Sequence, residues 1–480
     1  MTQRSLAHLL LHLTPLLLLR LSHAKLFESK AAKAARIALE QARLENERLS
    51  KLYIVFGRWE FDKTGFYTVV SVTLVILTVV GIQCGIWWRQ RREGSATPFS
   101  SKVSVVDVVI VGPLSPKSGM GWYHVTQFLE MSSVRVRAVV ESQYSNNLHR
   151  TPASFVDMIK ALIDVGVECV DSVHKLKDVL YPNSKGRRPK KVPLLCVISA
   201  KTEDNPRYFR ECINLGATHI YLEPPGAPSA TQLKDMASLA DLRGVHVYMG
   251  YHKLCSSYIQ NAVDFSQSIP KSHVFFCHNE GYSSKDIHRV VARHPEGMML
   301  SMTCQELAVL VSQYNISYRD VQKFRVNTNR LFSEKVTLVN VNCNDGDEKF
   351  TDLIRVAFKV ITKGGKTVSV MADRCGGLLS FAVVKSHRGE ELKRFQSLTE
   401  GQVKDYEGRL KEEKGLIPSF VVEKDDYLEL KRRVLEDILS NGGMKKSERG
   451  LLTIQDGIEV VMFAEFCATE IDKVLVPEDL

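Results

Sequence analysis

Apolar and polar positions change rhythm three times along this chain. Residues 103–111 (VSVVDVVIV) form a nearly continuous apolar, β-branched run, the pattern of a central parallel strand covered on both faces. Gly112 ends the run, and the loop PLSPKSGMG leads into a helical pattern starting near Trp122. A second strand is predicted at 134–140 (VRVRAVV), ending in Glu141, with a helix at 155–164, a strand at 166–170 and a helix at 173–180. Further strands at 192–199, 219–222 and 245–250 alternate with helices at 206–215 and 233–242. Strands and helices alternating at this pitch predict an α/β, Rossmann-like doubly wound parallel sheet over residues 103–252, with its ligand crevice beyond the carboxyl ends of the strands.

After residue 253 the rhythm becomes that of strand pairs. Residues 336–343, 354–362, 366–372 and 378–386 alternate apolar and polar side chains, with turn signals at Asn344-Asp345-Gly346 and Gly364-Gly365. The pattern predicts a C-terminal α+β domain over 253–480 with an open, largely antiparallel sheet. Amphipathic helices are expected at 427–439 and 451–471, the last packing back on the sheet.

The first hundred residues have a third character. Residues 64–88 (TGFYTVVSVTLVILTVVGIQCGIWW) contain no charged side chain, enough to cross a hydrocarbon core of about 30 Å, and predict one N-terminal transmembrane helix. Trp87 and Trp88 suit a headgroup boundary, and Arg89, Arg91 and Arg92 follow at once, so the C-terminal domains of this single-pass protein are expected to face the cytosol. Residues 1–24 combine Arg4, a leucine-rich run and a small-residue end, as a signal peptide does. Arg20 interrupts that run and no acid precedes Glu28, so a presequence and a mitochondrial membrane stand as the alternative. Residues 25–63 read as a short amphipathic helical segment, and 89–102 as a linker.

Composition narrows the function. A hydrophobic fraction of 44% with 25% charged residues excludes wholesale disorder and a multi-span transporter. The net charge of +10 is dispersed and no aromatic-interleaved basic motif is present, so nucleic acid is not an expected partner. The 10 cysteines show no C-x-x-C pair and no zinc-ligand spacing, so no metal is expected.

The chemistry-bearing motif is the turn after residue 111. A strand, a glycine turn and a helix suit a pyrophosphate, because backbone amides reach phosphates where no side chain intervenes. Gly112, Gly119 and Gly121 enclose an expanded version of that turn, which is equally compatible with an ordinary strand-to-helix loop. Glu141, 20 residues beyond Gly121, suits the ribose hydroxyls of NAD and disfavours a 2′-phosphate by charge, leaving NADP possible; its alternative is a solvated strand end. His252 and Lys253, with Tyr251 and Tyr258, sit at or just beyond a strand end that points to the expected crevice.

Together VIVGPLSPKSGMGWYHVTQFLE, AVVE, LGATHIYLEPPGAP and VHVYMGYHK resemble the Gfo/Idh/MocA family, which includes glucose-fructose oxidoreductase and inositol 2-dehydrogenase. The resemblance runs from about residue 103 to the C-terminus. It aligns the G-x-x-H of the family with Gly121 to His124, its acidic strand end with Glu141, and its E-K-P with Glu223-Pro224-Pro225. It implies NAD or NADP held by Gly112, Gly119, Gly121, Glu141 and Glu223, a small polyhydroxylated substrate such as a sugar, polyol or cyclitol, and a homo-oligomer formed through the second sheet. Two positions depart from it. Pro224 stands where the family has its lysine, and proline carries neither an amine nor an N–H. Gln305 stands where the catalytic histidine is expected, with Ser301 in place of the acid one turn earlier; an amide binds a hydroxyl but does not take its proton. Gln305, Lys253 and His252 are the remaining catalytic candidates, with Glu306 adjoining. Two functions follow: a membrane-anchored NAD(P)-binding oxidoreductase with an atypical proton donor, or a catalytically inactive dinucleotide- or sugar-binding sensor or scaffold.

Overall fold

The computed structural model describes residues 105–142, 152–181, 192–340, 348–444, 447, 450–475 and 478–479. The predicted signal, amphipathic segment, transmembrane helix and linker lie outside the described residues. Among the described residues, no helix is long and apolar enough to cross a membrane.

The alternating part folds as its pattern predicts. β1 (Val106–Val111), whose six residues are almost all buried, leads through the glycine turn into α1 (Met120–Phe128). β2 (Val134–Val140), α2 (Ala153–Asp164), β3 (Glu168–Val170), β4 (Leu194–Ile198), α3 (Asn205–Leu215), β5 (His219–Leu222), α4 (Ala230–Arg243) and β6 (His246–Met249) follow. The helix expected at 173–180 is split into a 3₁₀ turn, Val173–Lys175, and one short helix, Leu176–Leu180. The sheet order is β14 (Leu452–Thr453)-β6-β5-β4-β1-β2-β3, with β1 to β6 paired in parallel, as continuous β-branched strands buried on both faces require.

The second half contains α5 (Ser257–Gln267), β7 (His273–Asn279), α6 (Cys304–Tyr314), β8 (Val321–Val326), β9 (Glu334–Asn340), β10 (Glu348–Thr362), β11 (Thr367–Asp373), β12 (Phe381–Lys385) and β13 (Glu391–Gln396). Its sheet runs β13-β12-β7-β11-β10-β9-β15 (Glu478–Asp479), with β8 also on β10. The sheet is largely antiparallel, but β11 pairs with β7 in parallel. β7 is an unpredicted strand at the centre of this sheet. Its sequence HVFFCHN bunches the apolar residues instead of alternating them, because β11 and β12 flank it on both edges and its middle is buried.

The chain then returns to the first sheet. α7 (Glu400–Glu412), opened by a capping box between Thr399 and Gln402, buries none of its residues, whereas α8 (Pro418–Val422) and α9 (Lys424–Asn441) do. Leu430, Val434, Leu435 and Ile438 of α9 pack with Val106, Val108 and Ile110 of β1, alongside Val125 and Phe128 of α1. Each such aliphatic side chain contributes roughly 1.5–3 kcal/mol on leaving water. β14 (Leu452–Thr453) adds an antiparallel edge to β6, α10 (Ile454–Asp472) covers the opposite face, and β15 (Glu478–Asp479) joins β9. Everything described belongs to one compact unit, and the segment before α9 meets the loop after β1, the Ile417 amide donating to the Lys117 oxygen at 3.2 Å.

Candidate functional site

The glycines of the turn are required by the turn's own backbone. A Cβ on Gly119 would lie 2.3 Å from the Pro113 carbonyl oxygen, one on Gly121 2.8 Å from the Gly112 oxygen, and one on Gly112 2.4 Å from Ser199 Oγ. None has room for a side chain. The expanded loop doubles back in front of α1: the Trp122 amide donates to the Pro113 oxygen at 3.2 Å and the Gly119 amide to the Ser115 oxygen at 2.6 Å. The Leu114 amide donates to Glu141 Oε2 at 2.6 Å, so the acid expected to meet a ribose is buried and faces the turn.

The C-terminal segment covers this turn. The Ile417 amide donates to the Lys117 oxygen at 3.2 Å, Phe420 stacks on Tyr123 at 4.2 Å, and Tyr427 meets Tyr123 edge-on at 5.3 Å. These contacts cover the turn, and the Trp122 amide at the helix start is already engaged by the Pro113 oxygen of the loop itself.

The G-x-x-H histidine and the E-P-P glutamate are brought together beneath the turn. His124 Nε2 lies 3.0 Å from Glu223 Oε1, both largely out of solvent, at an angle that makes no straight hydrogen bond. Burial holds the His124 ring down to about 4, with Lys431 adding to the effect. Lys431, fully buried on α9, donates from Nζ to Gln127 Oε1 at 2.5 Å and lies over Tyr427 at 5.0 Å and Tyr123 at 5.6 Å. Burial pushes this amine down to about 7, against the opposing pull of Glu223.

A second polar group lies at the end of β6. Tyr251, His252 and Lys253 are buried, and the carboxylate of Glu423, from the junction of α8 and α9, sits among them. Glu423 Oε2 lies 2.8 Å from His252 Nε2; its Oε1 is paired with Lys253 Nζ and lies 3.7 Å from His278 Nε2. His278 Nδ1 in turn lies 3.0 Å from Glu306 Oε2. Burial alone would raise the Glu423 carboxyl, but Lys253 and His252 hold it well below the ordinary carboxylate range. Conversely, burial disfavours the Lys253 ammonium and Glu423 more than restores it, so its pKa stands above the ordinary lysine value.

Of the catalytic candidates, the structure brings Gln305, Lys253 and His252 into one cluster, the Lys253 amide donating to Gln305 Oε1 at 3.4 Å. Tyr258 is buried beside it, with Lys253 among the charges acting on its hydroxyl. Ser301 takes no part: its Oγ donates to the Gly297 oxygen at 2.9 Å and accepts from Arg374 Nη2 at 3.3 Å. Gly112, Gly119, Gly121 and Glu141 form the turn, and Glu223 faces His124. Sequence reasoning missed His278, Glu423 and Lys431. His278 sits on the unpredicted β7, and nothing local in FVVEKDDYLELK separates a buried acid or lysine from a solvated one.

This is a two-sheet architecture built on a Rossmann-like parallel sheet. No family model matches the chain, and no curated protein matches its sequence. Solved structures share the fold. Myo-inositol 2-dehydrogenase from Lactobacillus plantarum superposes with a TM-score of 0.51 at 11% identity, over 77% of this chain and 98% of that one. GenD2 from gentamicin A biosynthesis, in complex with NAD, gives 0.50 at 14% identity over 78% and 97%. The transcriptional regulator Gal80p from Kluyveromyces lactis gives 0.50 at 14% identity over 78% and 94%. At these identities the likeness establishes the fold, and that fold houses both dehydrogenases and a regulator.

Proposed function

We propose that this protein is a Gfo/Idh/MocA-type chain that keeps the dehydrogenase architecture and acts as a small-molecule-binding protein without hydride transfer. One observation carries the reading: Glu423 of the chain's own C-terminal segment occupies the crevice and engages Lys253, His252 and His278 there. A proton donor for a polyol needs an exchangeable group facing the substrate, and these are spent on an internal carboxylate. Pro224 and Gln305, where the family places lysine and histidine, and the self-filled glycine turn point the same way. With the span expected at 64–88, the binding part is placed at a membrane, facing the cytosol.

The oxidoreductase reading keeps one supporting observation, the convergence of Lys253, His252 and Gln305 at the end of β6. Titration of the purified full-length chain with NADH and NADPH, followed by nicotinamide fluorescence, separates the two. The expected result is no saturable binding of either nucleotide and no turnover of a sugar, polyol and cyclitol panel. Saturable binding accompanied by turnover would establish the oxidoreductase instead.

A further inference from the structure

The polar cluster at the end of β6 is more than a buried ion pair. Three nitrogen-bearing side chains from two different strand ends converge on one carboxylate: Lys253 and His252 follow β6, His278 lies on β7. The carboxylate arrives on a separate piece of chain, α8 and the first residue beyond it. That piece is fastened by few ties. They are the Ile417 amide on the Lys117 oxygen, a small apolar patch in which Leu416, Ile417 and Phe420 pack on Met120, Trp122 and Tyr123, and Glu423 itself; an exposed pair, Lys117 and Glu413 at 3.9 Å, adds little. Upstream of it α7 buries no residue, whereas downstream α9 is locked into the core by Leu430 and Val434. The strap over residues 413–423 is therefore anchored at its α9 end and leads, at the other, into a helix with no buried residue.

The cluster also has hydrogen-bonding capacity that Glu423 does not use. Glu306 Oε1 and His252 Nδ1 are buried and have no hydrogen-bond partner among the described residues, an arrangement that costs roughly 1–3 kcal/mol per atom in a finished core and is expected where a ligand completes the set. The Glu306 carboxyl oxygen, on the residue that pairs with His278, suits a hydroxyl donor from a ligand beside that histidine.

We infer that Lys253, His252 and His278 form a receptor for a small hydroxycarboxylate, and that Glu423 is a built-in competitor which the strap over residues 413–423 holds in the same seat. In the resting chain the internal carboxylate fills the receptor. An external carboxylate takes its place on Lys253 and the two histidines, its hydroxyl meets Glu306, and the strap with Phe420 is released from α1. This inference rests on the reading of the crevice as a binding site; it adds the ligand class and the means by which binding is signalled.

The test uses the full-length chain and its Glu423→Ala variant, with glycolate, acetate and, at equal ionic strength, chloride as probes. For the variant, glycolate should give a saturable rise in Tm that recovers most of the loss caused by the substitution. Acetate should give a smaller rise and chloride none. For the parent chain, saturating glycolate should raise the rate of limited proteolysis within residues 400–422 several-fold. A variant whose Tm responds to glycolate no more than to chloride overturns the inference, as does a parent strap whose cleavage rate glycolate leaves unchanged. If Glu423→Ala does not fold, Glu423→Gln keeps the side-chain shape and takes its place in the same comparison. NADH titrated into the same variant is the separate check on the underlying reading: saturable NADH binding with turnover defeats that reading whatever glycolate does, while a null glycolate response with no NADH binding defeats the receptor alone.

Discussion

The two ends of the crevice are closed by the same short piece of chain through opposite physics. At the glycine turn, closure is apolar and backbone-based: Phe420 on Tyr123, Ile417 on Lys117, and a loop that caps its own helix through Pro113. Three strands away in the sheet order, at the end of β6, closure is ionic, with Glu423 among Lys253, His252 and His278. The apolar end gains from burial in proportion to area and tolerates replacement by other apolar groups. The ionic end bears the desolvation of several groups, which well-packed apolar residues would avoid. A chain that needed nothing but a plug had no reason to retain charges there. On the reading proposed above, the β6 end is the part of the crevice that recognises a ligand and the glycine turn serves as scaffold.

The largest effect is expected from Glu423→Ala, which leaves Lys253 buried without its counter-charge. Unfolding by denaturant should show a loss of about 3–5 kcal/mol, the size associated with breaking a buried ion pair. A loss below about 1 kcal/mol would mean that water reaches Lys253 freely, and the contrast between the two ends would vanish. Next, Phe420→Ala should cost about 3 kcal/mol by removing a stacked, buried ring, with no effect on whether glycolate rescues the Glu423 variant. Gly119→Ala should cost about 1–3 kcal/mol, because the new Cβ meets backbone at 2.3 Å and no flexible side chain there can yield. If Gly119→Ala is neutral in equilibrium unfolding, the loop opens readily and its role as fixed scaffold is wrong.

A last effect is a pH dependence from Lys431. Its folded pKa, about 7, lies below the ordinary lysine value of 10.5, so between these two values the unfolded chain binds more protons than the folded one. Stability from this residue therefore rises with pH across that window, and the full cost of burying the ammonium is present below it. Lys431→Met removes the contribution. Thermal unfolding of parent and variant at about pH 7 and about pH 9.5 should show the variant's relative advantage larger at the lower pH. Equal differences at both values would show that the Lys431 amine reaches water despite its aromatic surroundings.

Much of this protein was legible in its residues. The β-branched runs at β1, β2 and β4 demanded a parallel sheet because nothing else buries such strands on both faces, and their alternation with helices set the order of connection. Gly119 and Gly121 were legible as positions of close backbone approach, and Pro224 and Gln305 as groups unable to move a proton. What approaches those glycines was not legible: a phosphate and the loop's own Pro113 carbonyl make the same demand for a missing Cβ. Nor was the occupant of the crevice. Glu423 lies 171 residues from His252 in the chain, and local sequence carries no trace of a contact made when α9 folds back on β1. Local pattern determines which faces must be buried, since that depends on neighbours two to four residues away. Which distant side chain fills a given space depends on how the whole chain returns on itself, and that was decided by the packing of the last fifty residues on the first sheet.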